Sequence, residues 1–167
     1  MKPTIAFALR ILASATAARL SIAAQNLLPN AGFEAGTNAP AGWRLAEGSG
    51  AWTSTAHQGA RALAVTGNGE SQSAWRTDGL SLPPGVLYHL RFYGRREPAA
   101  SGGTAVSGTP RVNRDFQLDE SWREYGFVFR TPDSAPEDTV RLGQWHVNGT
   151  LAFDDAELTP VQVVHAH

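Results

Sequence analysis

The sequence of 167 residues has no cysteine. That removes disulfides, thiolate metal sites and cysteine nucleophiles together, and it leaves export open. The one lysine is Lys2, and the formal net charge is -1. With no basic tract to follow a phosphate backbone, a general nucleic-acid binder is excluded. No apolar run reaches the roughly 20 residues that cross a bilayer as a helix, so no membrane span is expected.

Recognisable catalytic patterns are missing too. There is no HExxH pair, no Gly-rich phosphate loop and no GxSxG elbow. His57, His89 and His146 stand far apart without metal-ligand spacing, and His165 and His167 belong to the terminus. A glycosidase needs two carboxylates about 5–9.5 Å apart across a cleft. Asp119, Glu120, Asp133, Glu137 and Asp138 all fall in predicted turns with nothing to set such a spacing, and Asp154 and Asp155 are neighbours whose side chains diverge along a strand. The chain therefore reads as noncatalytic.

What is present is a turn-rich composition, with 17 Gly, 10 Pro and 42% hydrophobic residues, which suits one globular domain. Residues 1–24 read as a signal peptide: Lys2, an apolar stretch interrupted by Arg10 and Arg19, then the small-x-small pattern Ser21-Ile-Ala23 before Gln25; the alternative is an amphipathic N-terminal helix or a misassigned start. A secreted, periplasmic or extracellular location follows as an expectation. Without Lys2, Arg10 and Arg19 the remaining 11 basic and 15 acidic residues give a net charge of -4. Residues 25–160 form the expected module, and 161–167 a tail or truncated linker.

From Gln25 onward the hydrophobic period is mostly two, helix-period runs are absent, and turn residues recur at short intervals, the pattern of an all-β sandwich. Strands are expected at Trp43–Ala46, Ala51–Thr55, Arg61–Thr66, Gln72–Thr77, Leu87–Arg95, Val112–Leu118, Glu124–Arg130, Thr139–Val147 and Thr150–Leu158. Glu97–Thr109, rich in Gly, Ser and Ala, reads as a long loop. Alternation sets Tyr88, Leu90 and Phe92 against His89, Arg91, Tyr93 and Arg95. The second set is either a solvated face or a binding face. On the next-to-last strand Arg141, Gly143 and Trp145 oppose Val140 and Leu142, unless Gly143 marks a bulge that turns Trp145 inward. Tyr125, Phe127 and Phe129 read as core.

Leu151-Ala-Phe-Asp-Asp-Ala-Glu-Leu158 and Asn30-Ala-Gly-Phe-Glu-Ala-Gly36 are expected to meet. Carboxylates inside an apolar strand need compensation. Since the partner stretch brings Glu34 and no cation of its own, a hard cation such as Ca²⁺ between Glu34 and Asp154 would supply it. Phasing with Ala156 and Leu158 turns Asp154 to the core side and Phe153 outward, a conflict that a bulge or an aromatic on the binding face would resolve.

Asn26-Leu-Leu-Pro-Asn-Ala-Gly-Phe-Glu34, Gly42-Trp43, His57-Gln-Gly-Ala-Arg-Ala-Leu63, Leu82-Pro-Pro-Gly-Val-Leu-Tyr88, Trp122-Arg-Glu-Tyr125 and Phe153-Asp-Asp155 follow one another as in carbohydrate-binding modules of families four, nine and twenty-two. The sequence resembles these modules over about Asn26 to Pro160. The resemblance implies a jelly-roll β-sandwich of the galactose-binding-like type, core roles for Trp43 and Trp122, and Ca²⁺ ligands at Glu34 and Asp154 with carbonyls of the Gly36 turn and the His57–Arg61 turn. Sugars stack C–H faces on aromatic rings while polar neighbours take their hydroxyls. Trp75, between Gln72 and Arg76, and Trp145, between Gln144 and His146, are thus the candidate platforms. Arg91, Tyr93 and Gln144 are the candidate hydroxyl partners on the same face. The functional expectation is noncatalytic binding of a polysaccharide or oligosaccharide, accessory to a secreted polysaccharide-acting system and next to a catalytic or other neighbouring domain. The alternatives are a structural or interaction sandwich without a sugar site and, behind it, a small hydrolase.

Overall fold

A computed structural model describes residues 25–162, so the expected signal peptide and residues 163–167 lie outside the described residues. Ten strands follow in order: β1 (Trp43–Glu47), β2 (Ser49–Thr53), β3 (Ala62–Asn68), β4 (Gln72–Thr77), β5 (Leu87–Arg96), β6 (Thr104–Gly108), β7 (Asn113–Phe116), β8 (Arg123–Arg130), β9 (Arg141–Trp145) and β10 (Asn148–Pro160). They make two five-stranded antiparallel sheets. The first runs β1-β4-β9-β6-β7 and the second β2-β3-β10-β5-β8. No helix occurs among the described residues. The result is an all-β jelly-roll sandwich.

Period-two alternation builds the core. Tyr88, Leu90 and Phe92 on β5 face inward with Leu63 and Val65 of β3, Leu142 of β9 and Leu151, Phe153 and Leu158 of β10. Phe33, from the loop before β1, closes this core with its ring edge-on to Trp43 at 5.3 Å. On the edge strand β8, Phe129 is buried, while Tyr125 and Phe127 are half-buried at the core's margin.

All nine expected strands form, with ends displaced by no more than two residues. The tenth, β6, lies inside the stretch expected to be a loop. It sits between β9 and β7, and its Ala105, Val106 and Ser107 are all buried. A strand covered on both faces needs no alternation, and small residues suit a crowded position, so the sequence shows neither period nor bulk there.

Two ambiguities also resolve. The pairing of β10 with β5 shifts between Asp154 and Glu157, and Asp155 adopts φ 45°. This bulge lets Phe153 and Ala156 both point inward. The register of β9, by contrast, runs unbroken through Gly143 on both sides. Gly143 is there for closeness: a Cβ would lie 2.6 Å from the Ser73 carbonyl oxygen. Trp145 therefore keeps its outward phase.

Candidate functional site

The outer face of the first sheet is ordered in rows by strand pairing. Gln72, Trp145 and Thr104 form one row, and Ala74, Gly143, Val106 and Asp115 the next. Arg76, Arg141, Gly108 and Asn113 form the third. The middle row, small at its centre, lies between a row holding Trp145 and a row of two guanidiniums. Val106 stays outside the main core cluster yet is only 1% exposed, so its taller neighbours screen it. Shallow hollows open at both ends, one lined by Gln72, Trp145 and His146 and the other by Arg44, Arg76 and Asp78.

Charge on this face is unevenly satisfied. Arg76 pairs with Glu47 across β1 and β4. Arg141, directly opposite Arg76, makes no salt bridge or side-chain hydrogen bond among the described residues, and its guanidinium lies 4.9 Å from the centre of the Trp145 ring. The Nε atoms of both arginines are buried without a partner. Burial, then the neighbouring Arg76, pulls the Arg141 guanidinium below its ordinary pKa, against the pull of Glu47 and Asp115. Arginine nevertheless stays charged at any physiological pH.

The five candidate sugar contacts do not share this face. Trp75 is 5% exposed and points into the core, where Nε1 donates to the Ala64 carbonyl at 2.9 Å. Gln144 is 0% exposed. Its Oε1 accepts from the Val147 amide at 2.8 Å, and its Nε2 donates to the Ser71 carbonyl at 3.2 Å, which fixes the corner between β9 and β10. Both are packing groups, contrary to the sequence reading: Ser73, Trp75 and Thr77 go inward, and nothing in so polar a strand reveals which side is the core.

Arg91 and Tyr93 lie on the opposite outer face, on β5 of the second sheet. With sheets packed about 10 Å apart, they cannot join Trp145 in one contact area. Arg91 is held between Glu124 and Glu157. Tyr93 stacks under His57 with ring centres 3.8 Å apart, and His57 Nδ1 donates to Asp155 at 2.7 Å. Trp122, expected in the core, joins this outer cluster instead, half-buried, with Arg95 over its ring at 5.4 Å. A polar hollow of about 350 Å³ lies among Asn26, Gln58, Arg91, Tyr93 and Glu157. The charged groups around it are paired with one another.

The two acidic stretches do meet: the Ala156 amide donates to the Ala31 carbonyl at 2.9 Å. Both carboxylates face the turn at His57–Arg61. Asp154, 0% exposed, accepts from the amides of His57, Gln58 and Asp155 at 2.7, 3.1 and 2.8 Å. Glu34 Oε1 accepts from Ala60 and Arg61 at 2.9 and 3.0 Å. These amides supply compensation that the sequence reading assigned to a cation alone. Burial pushes the Asp154 carboxyl up, against the amide bonds that draw it down. Glu34 Oε2 has no donor among the described residues, so a cation finds one free oxygen there. No set of three or more acidic, His or Cys side chains gathers at metal-binding positions among the described residues. The Gly36 backbone lies against Ala39 and Trp52, and the Arg61 side chain covers the Trp52 ring at 4.5 Å.

No family model matches this chain, and no curated protein matches it. Solved structures do. A family 16 carbohydrate-binding module is 19% identical with a TM-score of 0.61, over 80% of this chain and 99% of that one. The CBM22-1 xylan-binding domain from Paenibacillus barcinonensis Xyn10C is 17% identical with a TM-score of 0.60, over 85% and 98%. The enzymatically active domain of bacteriophage CBA120 tailspike protein 4 is 11% identical with a TM-score of 0.56, but the match covers 81% of this chain and 21% of that one. The chain has the fold of carbohydrate-binding modules.

On that fold, the residues sequence reasoning missed are Arg76 and Arg141 as a facing pair, with Glu47 beside them. Alternation had already set Arg141, Gly143 and Trp145 opposite Leu142. The missing signal was the pairing of β4 with β9, which connects positions about seventy residues apart.

Proposed function

We propose that this chain binds polysaccharide or oligosaccharide on the outer face of its first sheet, and that it does so without cleaving it. The observation that carries the reading is Trp145, a half-buried indole fixed on the outer face of β9, with small residues in the next row and the Arg141 guanidinium over one face of its ring. A rigid aromatic with polar donors around it suits a sugar ring, whose C–H faces stack while its hydroxyls take hydrogen bonds. The shared fold supports this reading, since the solved structures it matches include a xylan-binding domain. Export by the N-terminal segment, and service to a neighbouring catalytic domain, complete the proposal.

A structural Ca²⁺ at Glu34 and Asp154, with carbonyls near Gly36 and Arg61, is a separate proposal. Its support is that both carboxylates converge on one turn and that Glu34 Oε2 is free. A bound cation there would stabilise the turn and take no part in sugar contact.

The sugar reading is tested by a glycan array and affinity electrophoresis of the wild type and of Trp145→Ala, each checked by its melting curve. Binding by the wild type that falls at least about tenfold in a variant of unchanged stability supports it. A folded wild type that binds nothing in a broad panel rejects it in favour of an interaction domain.

A further inference from the structure

Three charged side chains are buried among the described residues: Glu137, Asp154 and Arg141. Glu137 receives Arg111 at 3.2 Å. Asp154 receives three amides. Arg141, 7% exposed, has no ion pair and no side-chain hydrogen bond among the described residues; the Trp145 ring lies against it, and Glu47 and Asp115 act on it only through space. A desolvated guanidinium without an anion is disfavoured in the free protein and gains most from one that arrives. Its Nε is buried, while Nη1 and Nη2 are absent from the buried unpartnered atoms and so keep contact with solvent on the outer face.

The surroundings sharpen the demand. Arg76 stands directly across from Arg141, and its carboxylate partner Glu47 is already engaged. Asp115 stands exposed one row away, opposite Val106, and attracts the guanidinium without forming an ion pair with it. Arg114 on β7, Arg61 in the turn before β3 and Arg96 at the end of β5 likewise lack carboxylates, but none of the three is buried, and Arg96 donates to the Ala100 carbonyl. Arg141 is the described arginine that is both buried and unpaired.

We infer that the glycan bound on this face is acidic, a polysaccharide bearing uronic acid residues, with a sugar ring on Trp145 and its carboxylate on the Arg141 guanidinium. The inference rests on the sugar-binding reading and adds the substrate class. A planar fork of donors matches a planar carboxylate, and the bond is charge-assisted. The Arg141 guanidinium lies over one face of the Trp145 ring, 4.9 Å from its centre, so a sugar on the indole's open side has that cation at the ring's edge. A neutral glycan would satisfy the stacking ring and leave the buried cation as it is.

The test compares uronate polymers, namely polygalacturonate, alginate and glucuronoxylan, with their carboxyl-reduced forms, using the full chain and affinity electrophoresis or calorimetry. At least one acidic polymer is expected to bind about tenfold or more tightly than its reduced form, with the difference shrinking between low and high salt as screening sets in. Arg141→Gln is expected to erase that preference while retaining stacking, and Arg141→Lys to keep part of it. The wild-type comparison stands even if a variant fails to fold. Equal binding of acidic and reduced polymers overturns the inference and leaves the sugar-binding reading intact. Binding of neither kind overturns both.

Discussion

Trp75 and Trp145 stand on adjacent antiparallel strands of one sheet and point to opposite sides of it. Trp75 is paired with Leu142 and sealed in the core, whereas Trp145 is paired with Gln72 and faces out. Their alanine variants are therefore expected to fail in opposite ways. Trp75→Ala should cost about 3–5 kcal/mol of stability, from lost burial and the cavity left behind. Trp145→Ala should leave the melting temperature nearly unchanged and remove most glycan affinity. Melting curves and binding measured on both variants check this, and equal destabilisation would return Trp145 to a packing role.

Gln144 is a structural polar group in the core. Its amide holds the Val147 N–H and the Ser71 carbonyl at the corner where the chain leaves the first sheet for the second. Gln144→Leu strands the Val147 N–H away from water, while the Ser71 carbonyl keeps the His146 amide at 3.1 Å, so the expected loss is about 1–3 kcal/mol for the one group left unsatisfied. Chemical denaturation should show a lower midpoint at unchanged slope. A variant as stable as the wild type would mean that the corner rearranges freely.

Chelation tests the calcium proposal. A ligand that binds only the folded state stabilises by roughly 2.7 kcal/mol at a hundredfold excess over its Kd. Removing such a cation with EDTA should lower the melting temperature by several degrees. Coincident curves with and without chelator would reject the cation. The five backbone amides on Glu34 and Asp154 would then be the whole of their compensation.

Export is checked by intact mass. The mature chain is expected to begin at Ala24 or Gln25, after the small-x-small pattern at Ser21-Ile-Ala23. Exported protein that retains Met1 would refute the signal-peptide reading.

The sequence by itself determined the all-β class, nine of the strands and the inward set Tyr88, Leu90 and Phe92, while the side taken by Trp145 was settled only by the unbroken pairing of β9. Each of these follows from alternation along one strand, a local property that side-chain polarity records directly. It also brought Asn30–Gly36 to Leu151–Leu158, though the carboxylates that suggested the meeting are answered by backbone amides, largely of the His57–Arg61 turn. Only the tertiary structure decided that Arg91 and Tyr93 lie on the sheet opposite Trp145, that Trp75 and Gln144 are interior, and that β6 is a strand at all. Alternation says which residues share one side of a strand. Which sheet that strand joins, and which of its sides meets the core, depends on pairings between distant segments. The Arg76–Arg141 row arises from such a pairing, between strands that lie about seventy residues apart in the chain.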